Sequence, residues 1–275
     1  MQMANNVYTA HLMGGLGNQM FQIAHTICQS WKHGKECLFT PISNDTYPID
    51  WKPVNFIDNI YRNLKFVDNI EDTISIYEKE FAYSELEFNP NDSIKFNGYF
   101  QSSKNFLGYD DDIRDLFSPT QEFIDKASIL YPDINKHTVS VHIRLGDYRN
   151  VSNVLPIIDK SYIDYCINNI GNYDKLFIFS NEKDWIMNNL NYPNSVIVDG
   201  LSNYEEMWLM SLCKNNIICN STFSWWGSFL NKTNSKSVYA PSIWFGPTGP
   251  TTNSIYESYW NIVEVEYDKG VLIKK

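Results

Sequence analysis

The feature that most constrains this chain is the alternation, through its second half, of short apolar runs with helical stretches. Thr138–Ile143, Leu176–Phe179, Ser195–Asp199, Asn216–Cys219 and Val238–Ala240 read as strands, the last of them closing the sheet. Tyr162–Ile170, Lys183–Leu190, Tyr204–Cys213 and Ser224–Leu230 read as the intervening helices, with Met207, Met210 and Leu212 as core positions. Strands that are apolar throughout and separated by helices predict a parallel sheet covered on both faces. The first half opens the same way. Val7–Met13 reads as a strand, and a glycine turn follows. A helix then carries Met20, Phe21, Ile23, Ala24, Ile27 and Trp31 on one side, ends at Gly34, and leads to a second strand at Cys37–Phe39.

Residues 41–100, rich in Asn, Asp, Pro and Tyr, predict short helices and a strand near Ile94–Phe100. Asp110–Asp112 opens a helix carrying Ile113, Leu116 and Phe117, its acidic residues suiting the positive end of the helix dipole. Punctuation at Pro119 and in Pro132–Lys136 sets the expected division: an α/β lobe over 1–135 and a Rossmann-like lobe over 136–275.

A chain of 275 residues can build two such lobes, and 43% apolar with 15% aromatic residues suffices for packed cores. The net charge of −10 argues against nucleic acid or an anionic membrane as the main partner. It leaves room for an anionic small ligand held by a local arginine. Met1–Gly17 holds no apolar stretch of signal-peptide length, and no window reaches the roughly 18 apolar residues of a membrane span. The 5 cysteines form no CxxC pair and read as reduced core thiols. The acceptor patterns Asn220-Ser221-Thr222 and Asn231-Lys232-Thr233 read as chance. The expected location is the cytoplasm, with the inner face of a membrane as an alternative address.

Ligands of parallel sheets collect beyond the carboxyl ends of the strands. Three polar clusters fall at such ends: Gly14–Gln19, His142–Tyr148 and Asn220–Ser224. In His142-Ile143-Arg144-Leu145-Gly146-Asp147-Tyr148, His142 and Arg144 share one face of a strand end. A guanidinium there can grip a diphosphate bidentately, and the charge that grows on a departing nucleoside diphosphate makes it a transition-state stabiliser. The bland alternative is an Arg144–Asp147 ion pair without a ligand. In Gly14-Gly15-Leu16-Gly17-Asn18-Gln19, Gly15 and Gly17 let backbone N–H groups approach phosphate or sugar oxygens, and Asn18 and Gln19 add amide donors. Its spacing is not the dinucleotide fingerprint, and a tight connection alone would use the same residues.

In Asn220–Gly227, Ser221, Thr222 and Ser224 either cap a helix or donate to phosphate. Trp225 and Trp226 suit packing better than sugar stacking. Glu206 either accepts from guanine N1–H and N2–H or lies at a solvated helix start. Asp110–Asp112 lacks the apolar flanks of a buried metal pair, and the histidines lack ligand spacing, so no metal site is expected.

Together Gly14–Gln22, His142–Tyr148, Phe179–Trp185 and Asn220–Gly227 resemble the α-1,2-fucosyltransferases of glycosyltransferase family 11, with further likeness in Gly98–Ser102 and Pro241–Phe245. The resemblance runs over nearly the whole chain. It implies an α/β, two-lobed GT-B-type fold with Rossmann-like parallel sheets, the first lobe on the acceptor side and the second binding the nucleotide sugar. It implies GDP-L-fucose as donor, inversion to an α linkage, a galactose-terminated oligosaccharide or glycolipid as acceptor, and no cofactor or metal. A lipid-linked acceptor would bring peripheral membrane association.

By the same likeness Arg144 holds the diphosphate and His142 lies beside the nucleotide. Glu206, Ser221 and Thr222 touch base, ribose or phosphate, and Asn18 sits where donor and acceptor meet. Arg144, Asp147 and Asn18 are thus the catalytic candidates, with Asp147 either the general base or the group that orients Arg144. His142, Gly15, Gly17, Glu206, Ser221, Thr222 and Ser224 are the donor-binding candidates. Asn181 stands where the family more often has an acidic residue. Animal members carry a membrane anchor and stem, so this chain is similar to the bacterial or viral forms. The rival readings are a transferase of the same fold with another donor or linkage, and a carbohydrate-binding relative without activity.

Overall fold

A computed structural model describes residues 6–41, 48–134, 137–251 and 254–275, and its contacts divide the chain into two units. The first runs to Ser118 and takes in 254–256; the second holds the rest. The boundary expected at 135/136 falls outside the described residues.

The first unit is built on a parallel sheet in the order β2-β1-β4-β3, with β1 Val7–Ala10, β2 Glu36–Cys37, β3 Ile74–Tyr77 and β4 Ile94–Asn97. Helix α1, Leu16–His33, follows β1 and buries Met20, Phe21, Ile23, Ala24 and Ile27. It stops at Gly34, whose φ of 61° admits the left-handed cap. Trp31, expected on the apolar side, is 42% exposed, its ring tilted against that of Tyr109 at 5.3 Å. Helix α2, Asp110–Leu116, opens on the three aspartates as expected and buries Ile113.

The second unit holds the parallel sheet that the sequence predicts. Its strands are β5 Thr138–Ile143, β7 Lys175–Ser180, β8 Ser195–Ile197, β9 Asn215–Ile217, β10 Val238–Pro241 and β11 Asn261–Val263, in the order β11-β10-β9-β5-β7-β8. The short β6, Ile157–Ile158, belongs to a separate sheet with β12 Val265–Asp268 and β13 Val271–Lys274. The helices are α3 Gln121–Leu130, α4 Lys160–Ile170, α5 Lys183–Asn189, α6 Asn203–Leu212 and α7 Thr222–Phe229. The sheet does not close at Val238–Ala240: β11 pairs in parallel outside β10, Tyr239 opposite Asn261.

One face of this sheet packs Val139, Val141, Ile143, Leu176, Ile178 and Ile217 against Tyr162, Ile163 and Cys166 of α4 and Ile186 of α5. Burying aliphatic side chains of this size contributes about 1.5–3 kcal/mol apiece, so this face supplies much of the unit's stability. Trp225 and Trp226 are fully buried, with Trp225 stacked on Phe229 at 5.0 Å, so both serve packing. Helix α3 joins this unit by placing Phe123 5.3 Å from the ring of Trp208.

Chain order fixes where the second unit can bind. From β5 the chain proceeds to β7 and β8 on one side; it then returns to β9 on the other side and continues to β10 and β11. The connections leaving β5 and β9 therefore diverge, which opens a crevice at the carboxyl ends of these two neighbours.

Candidate active site

Both sides of that crevice are the motifs singled out from sequence. Arg144 follows β5 directly, and the turn Cys219–Ser221 follows β9. The Arg144 guanidinium donates from Nε to Asp147 Oδ1 at 2.9 Å and from Nη2 to Asp147 Oδ2 at 3.1 Å. This side-by-side pairing fixes the plane of the fork and leaves the remaining N–H groups as the edge for an anion. Arg144 is partly exposed, at 26%, and reachable by a ligand.

Asp147 is held in turn. Asn181, at the end of the neighbouring β7, accepts from Leu145 N at 3.0 Å and donates to Asp147 Oδ1 at 3.4 Å. Gly146 has φ 24°, and a Cβ there would lie 2.4 Å from Asn181 Nδ2. The glycine therefore both makes the turn and admits the amide. An acidic residue at 181 would face Asp147 with like charge; the amide there bonds it instead.

Tyr148 ties the two loops together. Its buried hydroxyl donates to Asn220 O at 3.2 Å, and burial pushes its pKa up, keeping it a protonated donor. Beneath, His142 is 4% exposed, with Nδ1 3.2 Å from Cys219 Sγ and its ring 5.3 Å from that of Phe223. Burial, and then the charge of Arg144, lower its pKa to about 3, so the imidazole is neutral. It supports the floor of the site and brings no charge to a phosphate.

Ser221 is the N-cap of α7, accepting from Phe223 N at 3.3 Å, and Thr222 is the first helical residue. Both stand at the positive end of that helix, where an anion is favoured. Ser224 is 1% exposed and its hydroxyl donates to Ser221 O at 3.2 Å, so it shapes the turn from below. Glu206 follows a reciprocal cap in which Ser202 and Glu205 satisfy each other's ends at the start of α6. Glu206 Oε1 accepts from Lys183 Nζ at 3.2 Å, and Lys183 also reaches Asp199 Oδ1 at 2.7 Å. Burial raises the Glu206 pKa against the opposing pull of Lys183. Sequence reading named Glu206 without its cation, which comes from the preceding crossover.

The remaining candidates lie in the first unit. Gly15 is the N-cap of α1, and Gly17 is buried in its first turn. The glycine that the turn cannot replace is Gly14: its φ is 75°, and a Cβ would stand 2.5 Å from Asn18 Nδ2. Gln19 does not serve a ligand. It is fully buried, its Nε2 donating to Gly14 O and Trp51 O and its Oε1 accepting from Tyr61. Asn18 Oδ1 accepts from Gln101 Nε2 at 3.0 Å. Among the described residues no group of three or more His, Cys, Asp or Glu side chains could hold a metal ion, and no helix is long and apolar enough to cross a membrane.

A switch-point crevice with a fixed guanidinium on one side and a hydroxyl-capped helix start on the other suits an anionic ligand such as a phosphate. The chain belongs to glycosyl transferase family 11, whose model matches residues 1–264. It is 28% identical over 275 residues to an alpha-1,2-colitosyltransferase of Escherichia coli, covering 87% of this chain and 93% of that one. It is 30% identical over 286 residues to the O-antigen biosynthesis glycosyltransferase WbnK of Escherichia coli, covering 85% and 93%. Among solved structures, POFUT1 in complex with GDP-fucose matches with a TM-score of 0.51 at 13% identity, over 90% of this chain and 96% of that one. The fold is accordingly the GT-B type found in fucosyltransferases, α/β with a parallel sheet in each unit.

Proposed function

We propose that this chain transfers L-fucose from GDP-L-fucose, with inversion and without a metal, to O2 of a terminal β-galactoside on a glycan, forming an α-1,2 linkage. The observation that carries the reading is the Arg144 fork, pinned by Asp147 and Asn181 beside the start of α7. The acceptor hydroxyl displaces GDP at C1 through an oxocarbenium-like transition state. Negative charge then grows on the diphosphate, and Arg144 meets it with preorganised donors that need no rearrangement. This fixed charge takes the part a divalent cation would otherwise play. Ser221, Thr222 and the N-terminus of α7 receive the same phosphates. Glu206 accepts from guanine N–H groups through the oxygen opposite Lys183, and His142 underlies the nucleotide.

Both Asp147 oxygens receive Arg144, so Asp147 orients the guanidinium, and the acceptor proton leaves late or through water. The name of the WbnK relative supports an acceptor of the O-antigen class. The name of the colitosyltransferase relative supports a second reading: the same linkage made from another deoxysugar donor. Incubation with GDP-L-fucose and a panel of galactosides, with and without EDTA, followed by mass and linkage analysis, decides between them. An EDTA-insensitive α-1,2-fucosyl product is expected. Product only from another GDP-sugar selects the second reading, and binding without turnover sinks both.

A further inference from the structure

Strands β7 and β8 are parallel neighbours, Ile178 opposite Ile197, so the turns after them leave the sheet at the same end as the crevice beside β5 and β9. Lys183 opens α5 after the first of these strands, Asp199 lies in the turn after the second, and Glu206 stands in the first turn of α6. All three belong to the second unit. Lys183 Nζ donates to Asp199 Oδ1 at 2.7 Å and to Glu206 Oε1 at 3.2 Å. Asp199 is the outer anchor, and Gly200 N donates to the same Oδ1 at 2.8 Å. The Glu206 side chain is 14% exposed, and its Oε2 accepts from none of the described residues. The other charged and titratable groups nearby are engaged elsewhere. Tyr131, after α3, donates its hydroxyl to Asp199 O at 3.4 Å, and Glu205 is taken by Lys126 and by Ser202. Helix α7, packed on α6, carries no titratable side chain.

We infer that Lys183 is a positioning residue for base selection: by holding Glu206 Oε1 it presents Oε2 as an acceptor-only oxygen, so the subsite takes a purine with N–H donors and rejects one with a bare ring nitrogen. An ionised carboxylate only accepts, whereas a protonated one carries an O–H and can donate. Guanine offers N1–H and N2–H to such an oxygen; adenine offers the lone pair of N1, which a protonated Glu206 would welcome. The inference rests on the reading that Glu206 meets the base. Burial raises the Glu206 pKa and Lys183 pulls it back. Without Lys183, burial and the charge of Asp199 act unopposed, and the carboxyl keeps its proton to a higher pH. Burial also works against the charge of Lys183, but Asp199 and Glu206 outweigh it and raise its pKa, so the ammonium persists through the neutral range.

The test is calorimetric binding of GDP and of ADP to the full chain between about pH 6 and about pH 9, for wild type, Lys183→Met, Lys183→Arg, Glu206→Gln and the Lys183→Met, Glu206→Gln double variant. Wild type is expected to favour GDP. In Lys183→Met the ratio of the ADP Kd to the GDP Kd should fall about 10-fold or more at about pH 6, the scale of one hydrogen bond to a charged group, and return to within about 3-fold of wild type at about pH 9. Lys183→Arg keeps the charge and should keep the ratio. Glu206→Gln should hold a low ratio at every pH, and adding Lys183→Met to it should change the ratio no further. A Lys183→Met ratio equal to that of wild type throughout overturns the inference while the donor reading stands. So does a lowered ratio that alkaline pH does not restore, or an equal loss of GDP and ADP at every pH, the mark of a cation that only attracts phosphate. A wild-type chain that binds GDP no better than ADP overturns base reading by Glu206, and one that binds no GDP overturns the donor assignment itself.

Discussion

Replacing Arg144 by alanine separates catalysis from folding. The guanidinium of Arg144 is 26% exposed and the carboxylate of Asp147 is 48% exposed. A pair so placed is worth about 0–1 kcal/mol to the fold, and its loss leaves Asp147 in water and beside Asn181 rather than buried alone. At about 2–4 °C per kcal/mol, Tm should fall by less than about 4 °C.

The catalytic effect is much larger. A unit charge about 4 Å from a phosphate oxygen interacts by roughly 4 kcal/mol at an effective dielectric of 20. Only the part that grows with leaving-group charge accelerates the reaction, and losing one preorganised oxyanion donor costs about 2.7–4 kcal/mol. Turnover of Arg144→Ala should therefore drop about 10²- to 10³-fold. Arg144→Lys keeps the charge but cannot span Asp147 and a diphosphate together, and should fall in between. GDP release at saturating acceptor gives kcat, and a thermal melt of the same preparations gives Tm. A kcat near wild type, with the fold intact, would refute the leaving-group role.

Three further outcomes are expected. If Asp147 acts through Arg144, the Asp147→Ala and Arg144→Ala double variant should be no slower than Arg144→Ala, whereas multiplying losses would restore a separate base. Gly227→Ala should destabilise by about 1–3 kcal/mol, because its Cβ would meet Met210 Cβ and Sδ at 2.9 Å between α7 and α6; an unchanged denaturation midpoint would contradict this. His25 and His142 are held neutral by burial, each with a pKa lowered from 6.5 to about 3. Below pH 6.5 the unfolded chain takes up these protons and the folded one does not, so each removes about 1.4 kcal/mol of stability per pH unit on acidification. Glu78, raised by burial to about 7, works oppositely between pH 4.5 and 7, where the folded chain holds the extra proton. The net loss there is about that of a single histidine, and Glu78→Gln should steepen it in melts taken across this range.

What was legible in the sequence was whatever depends on local pattern. β5 and β7 are buried runs bounded by polar residues, and their positions follow from composition. The three turns at strand ends were legible for the same reason. β3 escaped because it is a mostly exposed edge strand of four residues, and α3 because it buries only Phe123 and Ala127. β6 is two residues long and exists through pairing with β13, more than a hundred positions away, which no local window registers. In the site, residue types were readable but partners were not. That Gly14 makes room for Asn18, that Ser224 faces inward, and that Asn181 bonds Asp147 are facts of register between elements distant in sequence.

Co-crystallisation with GDP places the leaving group directly. The β-phosphate should lie beyond the carboxyl ends of β5 and β9, with a nitrogen of the Arg144 guanidinium about 2.7–2.9 Å from one of its oxygens and the Arg144–Asp147 pairing retained. A diphosphate bound elsewhere, or reached only through a divalent ion with Arg144 turned away, would contradict the account.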